Sequence, residues 1–433
     1  MRILGIAAAL LLASVPAHAT LQLSFKPTKN MDCSDPGVCI ATDADAVMNI
    51  DELTTMLETS DMRIETDGLF FQDVEVQKPI AWASSHGLTI EGTDAMFLHA
   101  PISVLGTGSF LDIKIGGGPF YGRGGAIKFA DPATARLTID GDAYILVNSI
   151  AGLADAVAHH PGGMIALAND YDARPDGQVR SAPVKTPFNG TFDGLGNVIS
   201  HFSIWDTQDN VVALFTQLQG QGRILRARMT KVNVLSENTF NNVAAALVAI
   251  NSGLIADSYV DKGTVRTDFH GVLGGLVGES DRGTIVDSWT NVSVEGAQGG
   301  DFGGLIGSNG GKVQNVYALG RVIAGDQTDV GGLVGFNGGH VSKAYATGHV
   351  SGGQNAQVGG LVGHSLKPIR DTYWDTETSG TEFGVGGHDF DGVTGLTSAE
   401  LAAGLPPGFE PFVWGHDPRI NKSRPYLLHN VTR

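Results

Sequence analysis

The most regular hydrophobic pattern in the chain is a block of the form apolar-Gly-Gly-Leu-Val/Ile-Gly that recurs between residues 273 and 363. A degenerate copy with alanines in place of the glycines precedes it, and successive leucines are 28 or 29 residues apart. The repeated leucines are Leu247, Leu276, Leu305, Leu333 and Leu361. A fixed period of this length indicates a repeat architecture.

Two further apolar segments keep the same period. One carries an aromatic residue preceded four positions earlier by Ile or Val, and the other carries a valine. The aromatic residues are Tyr259, Trp289, Tyr317, Tyr345 and Tyr373. Each segment is too short for a helix and rich in β-branched residues, which favours strands. We therefore predict an all-β fold, a three-faced parallel β-solenoid with coils of about 28 residues, in which the aromatic residues stack structurally.

The rest of the chain is less regular, and we divide it by composition and turn signals. The predicted segments are a signal peptide (1–19), an N-terminal cap with a short helix (20–65), irregular β-helix coils (66–141), a helix-containing connector with a Phe-Asp-Gly segment (142–212), the repeat coils (213–374) and a C-terminal cap (375–433). Polar caps are expected because bare strand edges would recruit other chains.

Three short helices are predicted from capping signals. Asn49 and Glu52 form a capping box that opens a helix from Ile50 to Glu58, and Asn148 caps a helix from Ile150 to His159. The third helix starts at Thr397 with Glu400 and ends near Ala403. The Pro-rich tail after Leu405 is expected to close the C-terminal end of the solenoid.

The first residues predict export. Arg2 precedes an apolar run from Ile3 to Val15, and Ala17-His18-Ala19 is typical of a cleavage site. The apolar run is too short to span a bilayer of about 30 Å, and no later segment reaches 18 continuous apolar residues, so we expect no membrane span in the mature chain. The expected location is secreted or at the cell surface, with the periplasm as the alternative.

Composition narrows the choice of partners. The 433 residues include 60 glycines, and charged residues make up only 17%. A formal net charge of -17 argues against nucleic acid as a partner, because nothing would neutralise the phosphates. Cys33 and Cys39 are the only cysteines, and in an exported chain they are expected to form a disulfide.

The repeats resemble the GLUG motif, seen here as Gly331-Gly332-Leu333-Val334-Gly335 with the trailing segment from Val341 to Thr347. The segment from Phe188 to Ile199 and the stretch from Tyr373 to Gly380 are similar to the sequences that flank such arrays in filamentous haemagglutinin-like surface proteins of Gram-negative bacteria. This resemblance implies that the β-helix is right-handed and that the protein has an adhesive role at a surface.

Candidate chemistry is sparse. His-Glu-x-x-His and Gly-x-Ser-x-Gly are absent, so we expect neither a zinc metallopeptidase nor a serine hydrolase, and we expect no cofactor and no metal. Asp257 and Asp287 share a repeat position and are expected on adjacent coils about 5 Å apart. They would suit the acidic pair of a glycoside hydrolase or a cation site, but we favour a polar column that faces water.

The sequence therefore predicts a non-catalytic, exported solenoid that binds a carbohydrate, matrix or host-cell ligand whose identity is open. Exposed tryptophans such as Trp205, Trp289 and Trp374 are candidates for sugar contacts. One alternative is a polysaccharide lyase or glycoside hydrolase on the same scaffold, because a fold does not imply a function. A further alternative is a structural envelope protein.

Overall fold

The computed structural model describes residues 19–66, 72–238 and 241–431. They form a β-solenoid of about 12 turns in which the coils stack with parallel strands at a spacing of about 28 residues. The predicted fold class is confirmed, while the right-handed sense of the coil stays a prediction. Residues 1–18 of the predicted signal peptide lie outside the described residues.

The first half of the solenoid contains three parallel sheets. One consists of Asp45–Asn49, Ala19–Ser24, Gln72–Val76, Met96–Leu98 and Pro119–Tyr121. Another consists of Ile80–Trp82, Ile102–Val104 and Ile127–Phe129. The last consists of Val38–Ala41, Met62–Glu65, Leu88–Gly92, Phe110–Ile115 and Arg136–Ile139, with Met31–Asp32 antiparallel to its first strand. Burial alternates along the strands, so one face of each sheet lines the interior.

The second half contains one large sheet and two six-stranded sheets. The large sheet consists of Asp142–Val147, Met164–Leu167, Tyr171–Asp172, Thr191–Asp193, Val198–Ser200, Ser203–Asp206, Arg223–Leu225, Arg228–Ser236, Leu254–Ala256, Tyr259–Thr267, Thr284–Glu295, Lys312–Ala318, Val322–Ile323, His340–Ala346, Val350–Ser351, Ile369–Asp375 and Val393–Leu396. One six-stranded sheet consists of Val211–Val212, Asn242–Ala245, Gly271–Gly274, Gly300–Gly303, Thr328–Gly331 and Gln357–Gly359. The other consists of Phe215–Leu218, Val248–Asn251, Val277–Ser280, Ile306–Asn309, Val334–Asn337 and Val362–Ser365.

The interior of the repeat coils is built from three apolar columns. The repeated leucines are fully buried, as are the Ile/Val residues and the valines of the other two segments, of which Ile285 and Val294 are examples. A corner column links successive coils through side chains. Asn309 Nδ2 donates to Asn337 Oδ1 at 2.8 Å, and Asn337 Nδ2 donates to Ser365 Oγ at 3.0 Å. Identical positions on successive coils therefore support one another.

A Gly-Gly pair precedes four of the five repeated leucines and permits close approach between the two six-stranded sheets, while the degenerate copy has Ala245-Ala246 before Leu247. A Cβ on Gly303 would collide with the carbonyl oxygen of Ile306, and one on Gly304 would collide with the carbonyl oxygen of Gly332 on the next coil. Any side chain at these positions would push the sheets or the coils apart. The repeated glycines are therefore a steric requirement of the tight turn.

In the described part of the chain, three α-helices and two short 3₁₀ turns accompany the strands. The helices are α1 (Ile50–Leu57), α2 (Ile150–His159) and α3 (Ser398–Leu401), and the 3₁₀ turns are Arg174–Asp176 and Asn421–Ser423. None of the described helices has the length and apolar character needed to cross a bilayer.

Two capping predictions need correction. Ser149, not Asn148, caps α2, because its extended backbone lets Ser149 Oγ accept from the Gly152 N–H at 3.0 Å. The capping box of α1 is half formed. Asn49 Oδ1 accepts from the Glu52 N–H, but Glu52 Oε2 accepts from Thr28 Oγ1 instead of turning back to the cap. At α3 the box between Thr397 and Glu400 is complete, as predicted.

The ends of the solenoid also differ from the predicted segments. Stacked strands already begin at Ala19–Ser24, at the junction of the predicted signal peptide (1–19) and the predicted cap (20–65), and they continue through the predicted connector. The tail after Leu405 does not close the C-terminal end. It runs back along the outside of the repeat coils, where the short antiparallel pair Trp414–Gly415 and Tyr426–Leu427 forms. The reason is the aromatic column, which faces outward and needs a cover.

Candidate functional site

The repeated aromatic residues form a ladder on the outer side of the large sheet. Ring centroids lie 4.7 Å apart for Tyr259 and Trp289, 5.3 Å for Trp289 and Tyr317, and 5.1 Å for Tyr317 and Tyr345, with nearly parallel planes. Parallel, in-register strands place like residues at this spacing, which favours stacking. The ladder packs with residues of the tail and not with the apolar interior. We call it the ring column; its last member is Tyr373.

The tail segment 405–431, here called the strap, buries the ring column. Tyr373 Oη donates to the carbonyl oxygen of Pro407, Tyr345 Oη to that of Pro425, and Trp289 Nε1 to that of Asn430. The strap therefore runs from the last repeat coils toward the earlier ones. Trp414 packs beside Tyr317 and Tyr345, with ring centroids about 6 Å apart.

The predicted acidic pair lies on adjacent coils at the edge of the ring column. Asp257 and Asp287 each have a positive φ, 50° and 49° respectively, between paired strand segments. Three more members of this repeat position share the conformation, namely Asn315, Lys343 and Asp371. Asp and Asn tolerate the left-handed region better than most residues, so the corner itself explains much of the polar column.

The strap partly covers Asp257 and Asp287, which are half-buried, so they do not form the open, solvated column that was expected. They line a pocket of about 270 Å³ between the solenoid and the strap, which we call the seam pocket. Its other lining residues are Phe120, Phe412, Val413, Leu427 and His429. The sequence could not place the pair there, because the covering residues belong to no repeat and follow the pair by well over a hundred positions.

Burial changes the protonation of both carboxyl groups. It raises the pKa of Asp287 to about 6, and the neighbouring charge of Asp257 adds to the shift, while the hydrogen bond from Asn315 opposes it. Burial also raises the pKa of Asp257, against the attraction of Arg226 and Arg228. Burial lowers the pKa of His429, against the attraction of Asp287. Two carboxyl groups therefore share a confined space beside an uncharged imidazole.

A larger groove adjoins the seam pocket, and His429 lines both. It has a volume of about 600 Å³ and lies between the first coils and the strap; we call it the aromatic groove. It is lined by Thr20, Asp73, Glu75, Phe97, His99, Gly122, Arg123, Ile420, Tyr426, Leu428, His429 and Val431. Phe97 stacks on Phe120 with ring centroids 5.4 Å apart, and His429 lies 5.1 Å from the Phe120 ring.

Sequence reasoning missed Phe97 and Phe120 as candidates. They are register partners on the strands Met96–Leu98 and Pro119–Tyr121, whose coils lack the fixed period. The only available signal was an outward-facing Phe between two buried residues on each strand. The three tryptophans named as candidates for sugar contacts are engaged elsewhere, and Trp374 is buried against the apolar interior. Trp289 is buried under the strap, and Trp205 donates to Glu237 and lies beneath Arg180.

The remaining predicted residues lie outside the pocket and the groove. The repeated leucines point into the interior, and Cys33 and Cys39 form a disulfide near the first coils. Within residues 19–66, 72–238 and 241–431, no three His, Cys, Asp or Glu side chains converge as metal ligands would.

Residues 326–351 match the family described as the GLUG motif, which supports the GLUG-repeat character of the coils. The matched segment includes the Gly-Gly turn and Leu333 of the leucine column. A search of the curated proteins finds no match to the chain. The likeness to filamentous haemagglutinin-like proteins stays a prediction.

Proposed function

We propose that this chain is a non-catalytic, exported β-solenoid that binds carbohydrate and acts in adhesion at the cell surface or to a polysaccharide matrix. The observation that carries the proposal is the aromatic groove. Phe97, which stacks on Phe120 of the adjoining seam pocket, lines this groove together with two carboxylates, an arginine and two histidines. Such a combination suits a sugar, whose apolar ring face packs on aromatic rings while its hydroxyl groups exchange hydrogen bonds with polar side chains.

The scaffold supports the same proposal. Phe97 and Phe120 are held on paired strands, and His429 is held by the strap, whose next residue donates to two backbone carbonyl groups. A site built on strands is more precise than one built on a free loop. Phe97 and Phe120 are only partly exposed, so a ligand needs to order few groups when it binds.

A glycan array followed by calorimetry tests the proposal. The variant Phe97→Ala/Phe120→Ala should bind the selected glycan at least about tenfold more weakly, because ring stacking contributes on the order of 1 kcal/mol per contact beyond area burial. Phe25→Ala is the matched control, since Phe25 is 53% exposed and lies outside the groove. An array without any bound glycan, or equal affinity of the double variant and the control, would contradict the proposal.

The proposed location has its own test. Intact cells are treated with protease, and the culture medium is probed for the protein. Cleavage on intact cells, or release into the medium, supports a role in surface contact. Full protection until the outer membrane is opened would place the protein in the periplasm and remove the adhesive role.

A polysaccharide-cleaving enzyme is the second candidate, favoured by one observation. Asp287 has a pKa of about 6 beside a second carboxyl group, as the acid of a glycosidase pair requires. The pair lies in a pocket of about 270 Å³ that the strap partly covers, so a sugar chain bound there would enter from the adjoining aromatic groove. Release of reducing ends from the bound glycan, abolished in Asp287→Asn, would replace the first proposal with this one.

A further inference from the structure

The seam pocket holds an excess of hydrogen-bond acceptors. Asp287 Oδ1 accepts one bond, from Asn315 Nδ2 at 2.9 Å. In the described part of the chain, the Asp257 carboxylate takes part in no hydrogen bond and no ion pair. The nearby guanidinium groups are bound elsewhere. Arg226 pairs with Asp193, and Arg228 donates to the carbonyl oxygens of Gly196 and Tyr121.

Two buried amides adjoin the acidic pair without lining the pocket. Asn315 is 6% exposed, and its Oδ1 finds no partner among the described residues although its Nδ2 binds Asp287. Asn430 is fully buried, and its Nδ2 donates to the carbonyl oxygens of Ser258 and Asp287. The Oδ1 of Asn430 likewise has no partner in the described ranges. The acceptors that line the pocket are the carboxylate oxygens of Asp257 and Asp287. Acceptors without a donor are costly in such a confined space, so a ligand that supplies N–H groups to this pair would be favoured here.

The walls of the pocket indicate what carries those N–H groups. Phe120 and Phe412 provide aromatic surface next to the carboxylates, and the Phe412 side chain is 73% exposed at the mouth. An ammonium group is attracted by aromatic faces as well as by carboxylates. The His429 imidazole is uncharged at neutral pH and does not repel a cation. The net charge of -17 adds a long-range attraction for a polycation.

We propose that the seam pocket binds the protonated amine of an amino sugar, so that the ligand of this protein is a polysaccharide with free glucosamine-type units. The ammonium group donates to Asp257 and Asp287, and the sugar ring packs on Phe120 and Phe412. The adjoining aromatic groove holds the following units of the same chain. This inference rests on the proposed carbohydrate binding and specifies its substrate class.

Calorimetry with two oligosaccharides of equal length tests the inference on the full chain. One is a fully deacetylated glucosamine oligomer, and the other is its N-acetylated counterpart. We expect the deacetylated oligomer to bind at least about tenfold more tightly, because an acetylated nitrogen carries no charge and offers one N–H. Equal affinities would overturn the inference but leave the proposed function intact. Absence of binding by either oligomer would overturn the inference and remove the support for carbohydrate binding.

Substitutions test whether the seam pocket is the source of the preference for the deacetylated oligomer. Asp257→Asn/Asp287→Asn should abolish it while binding of the acetylated oligomer is retained, and Asn suits the left-handed backbone at both positions. Asp301→Asn/Asp329→Asn is the matched control, because these residues form another acidic pair in register on a sheet outside the pocket. The control should keep the full preference. A preference that survives in the first variant, or is lost in the control, would overturn the assignment.

Two further measurements test the aromatic wall of the pocket and the class of cation that it binds. Phe412→Ala removes an exposed side chain with little risk to folding and should reduce the preference several-fold. A preference unchanged in this variant would overturn the role of the aromatic wall. A titration with Ca²⁺ alone distinguishes an organic ammonium ligand from a metal ion. Ca²⁺ binding that is lost in Asp257→Asn/Asp287→Asn and that blocks the deacetylated oligomer would show a cation site of a different class.

Discussion

The leucine column and the ring column belong to the same coils but are stabilised in different ways. Each leucine of the repeats lies in the interior between copies of itself, and every one is fully buried without help from outside the coils. The rings of the ring column also stack on one another, but their outer side is buried only by the strap. The repeat coils therefore bury their own interior residues, whereas their aromatic outer face is buried by a segment that does not belong to the repeats.

This difference predicts two levels of stability. Loss of an interior contact should weaken the whole solenoid, because neighbouring coils share it. Loss of a strap contact should release the strap first, and the free energy that can be lost is limited to that of strap docking. Local opening of this kind is common in segments that cover a preformed core. Four substitutions, from the largest expected effect to the smallest, test the distinction.

Leu305→Ala should lower the free energy of unfolding of the whole solenoid by about 2–5 kcal/mol, because a fully buried leucine leaves a cavity between rigid coils. Chemical denaturation followed by far-UV circular dichroism measures the change. Ile323→Ala is the control in the same coil, since Ile323 is 36% exposed, and should change the value by about 0.5 kcal/mol or less. Similar losses in the two variants would contradict the interior role of the leucine.

Trp414→Ala should weaken strap docking by about 3 kcal/mol, because a buried indole between Tyr317 and Tyr345 is lost. Hydrogen exchange should accelerate in the strap while the coil strands keep their protection. Trp414→Phe should behave nearly as the unchanged chain, since the indole N–H has no partner among the described residues. Equal loss of hydrogen-exchange protection in the strap and in the coil strands would show that the strap and the coils unfold together.

Asp287→Asn should raise the free energy of unfolding at pH 8 by on the order of 1–3 kcal/mol and should have little effect at pH 4. Burial and the charge of Asp257 raise the pKa of Asp287 from 3.8 to about 6, so the folded protein binds this proton more tightly than the unfolded chain. The stabilisation by protonation is present below pH 4 and is lost as the pH rises through 6. The exposed Asp281→Asn serves as the control, and an effect independent of pH would contradict the buried position of Asp287.

Glu410→Gln should cost the least, about 1 kcal/mol or less. Glu410 on the strap pairs with Lys343 of the coils, but both side chains are partly exposed, so solvent screens the pair. The hydrogen bond from Lys343 lowers the pKa of Glu410, so its contribution is present at neutral pH and is lost on acidification through that pKa. Strap proteolysis at low and high salt measures the effect. A loss comparable to that of Trp414→Ala would mean that charge, not ring packing, holds the strap.

The sequence predicted the interior because the interior is periodic. Five leucines at a constant spacing can be recognised as one column, and the fold follows from the stacking of identical positions. The sequence did not predict the seam pocket, because the residues that line it come from three parts of the chain that share no sequence pattern. Asp257 belongs to the repeats, Phe120 to irregular coils and Phe412 to the strap. Their meeting depends on how the strap docks, which no local signal in the chain specifies.

For the acidic pair, the position in the repeats was predicted correctly, but the surroundings were not. Its placement on adjacent coils was predicted from the period, and the structure has Asp257 and Asp287 on neighbouring strands as expected. The two residues are less exposed to water than expected, because the strap partly covers this outward-facing column. Outward-facing residues of a solenoid are exposed only where nothing returns to cover them.

The direction of the strap also fixes an order of events during synthesis. The strap follows in the chain every coil that it covers, and Asn430 donates to the carbonyl oxygens of Ser258 and Asp287, made far earlier. The coils can stack as they emerge, since each contacts mainly its neighbours. The ring column, in contrast, stays bare until the strap has been made. An interrupted chain would thus expose a stripe of aromatic rings, which marks it as unfinished to proteases and chaperones.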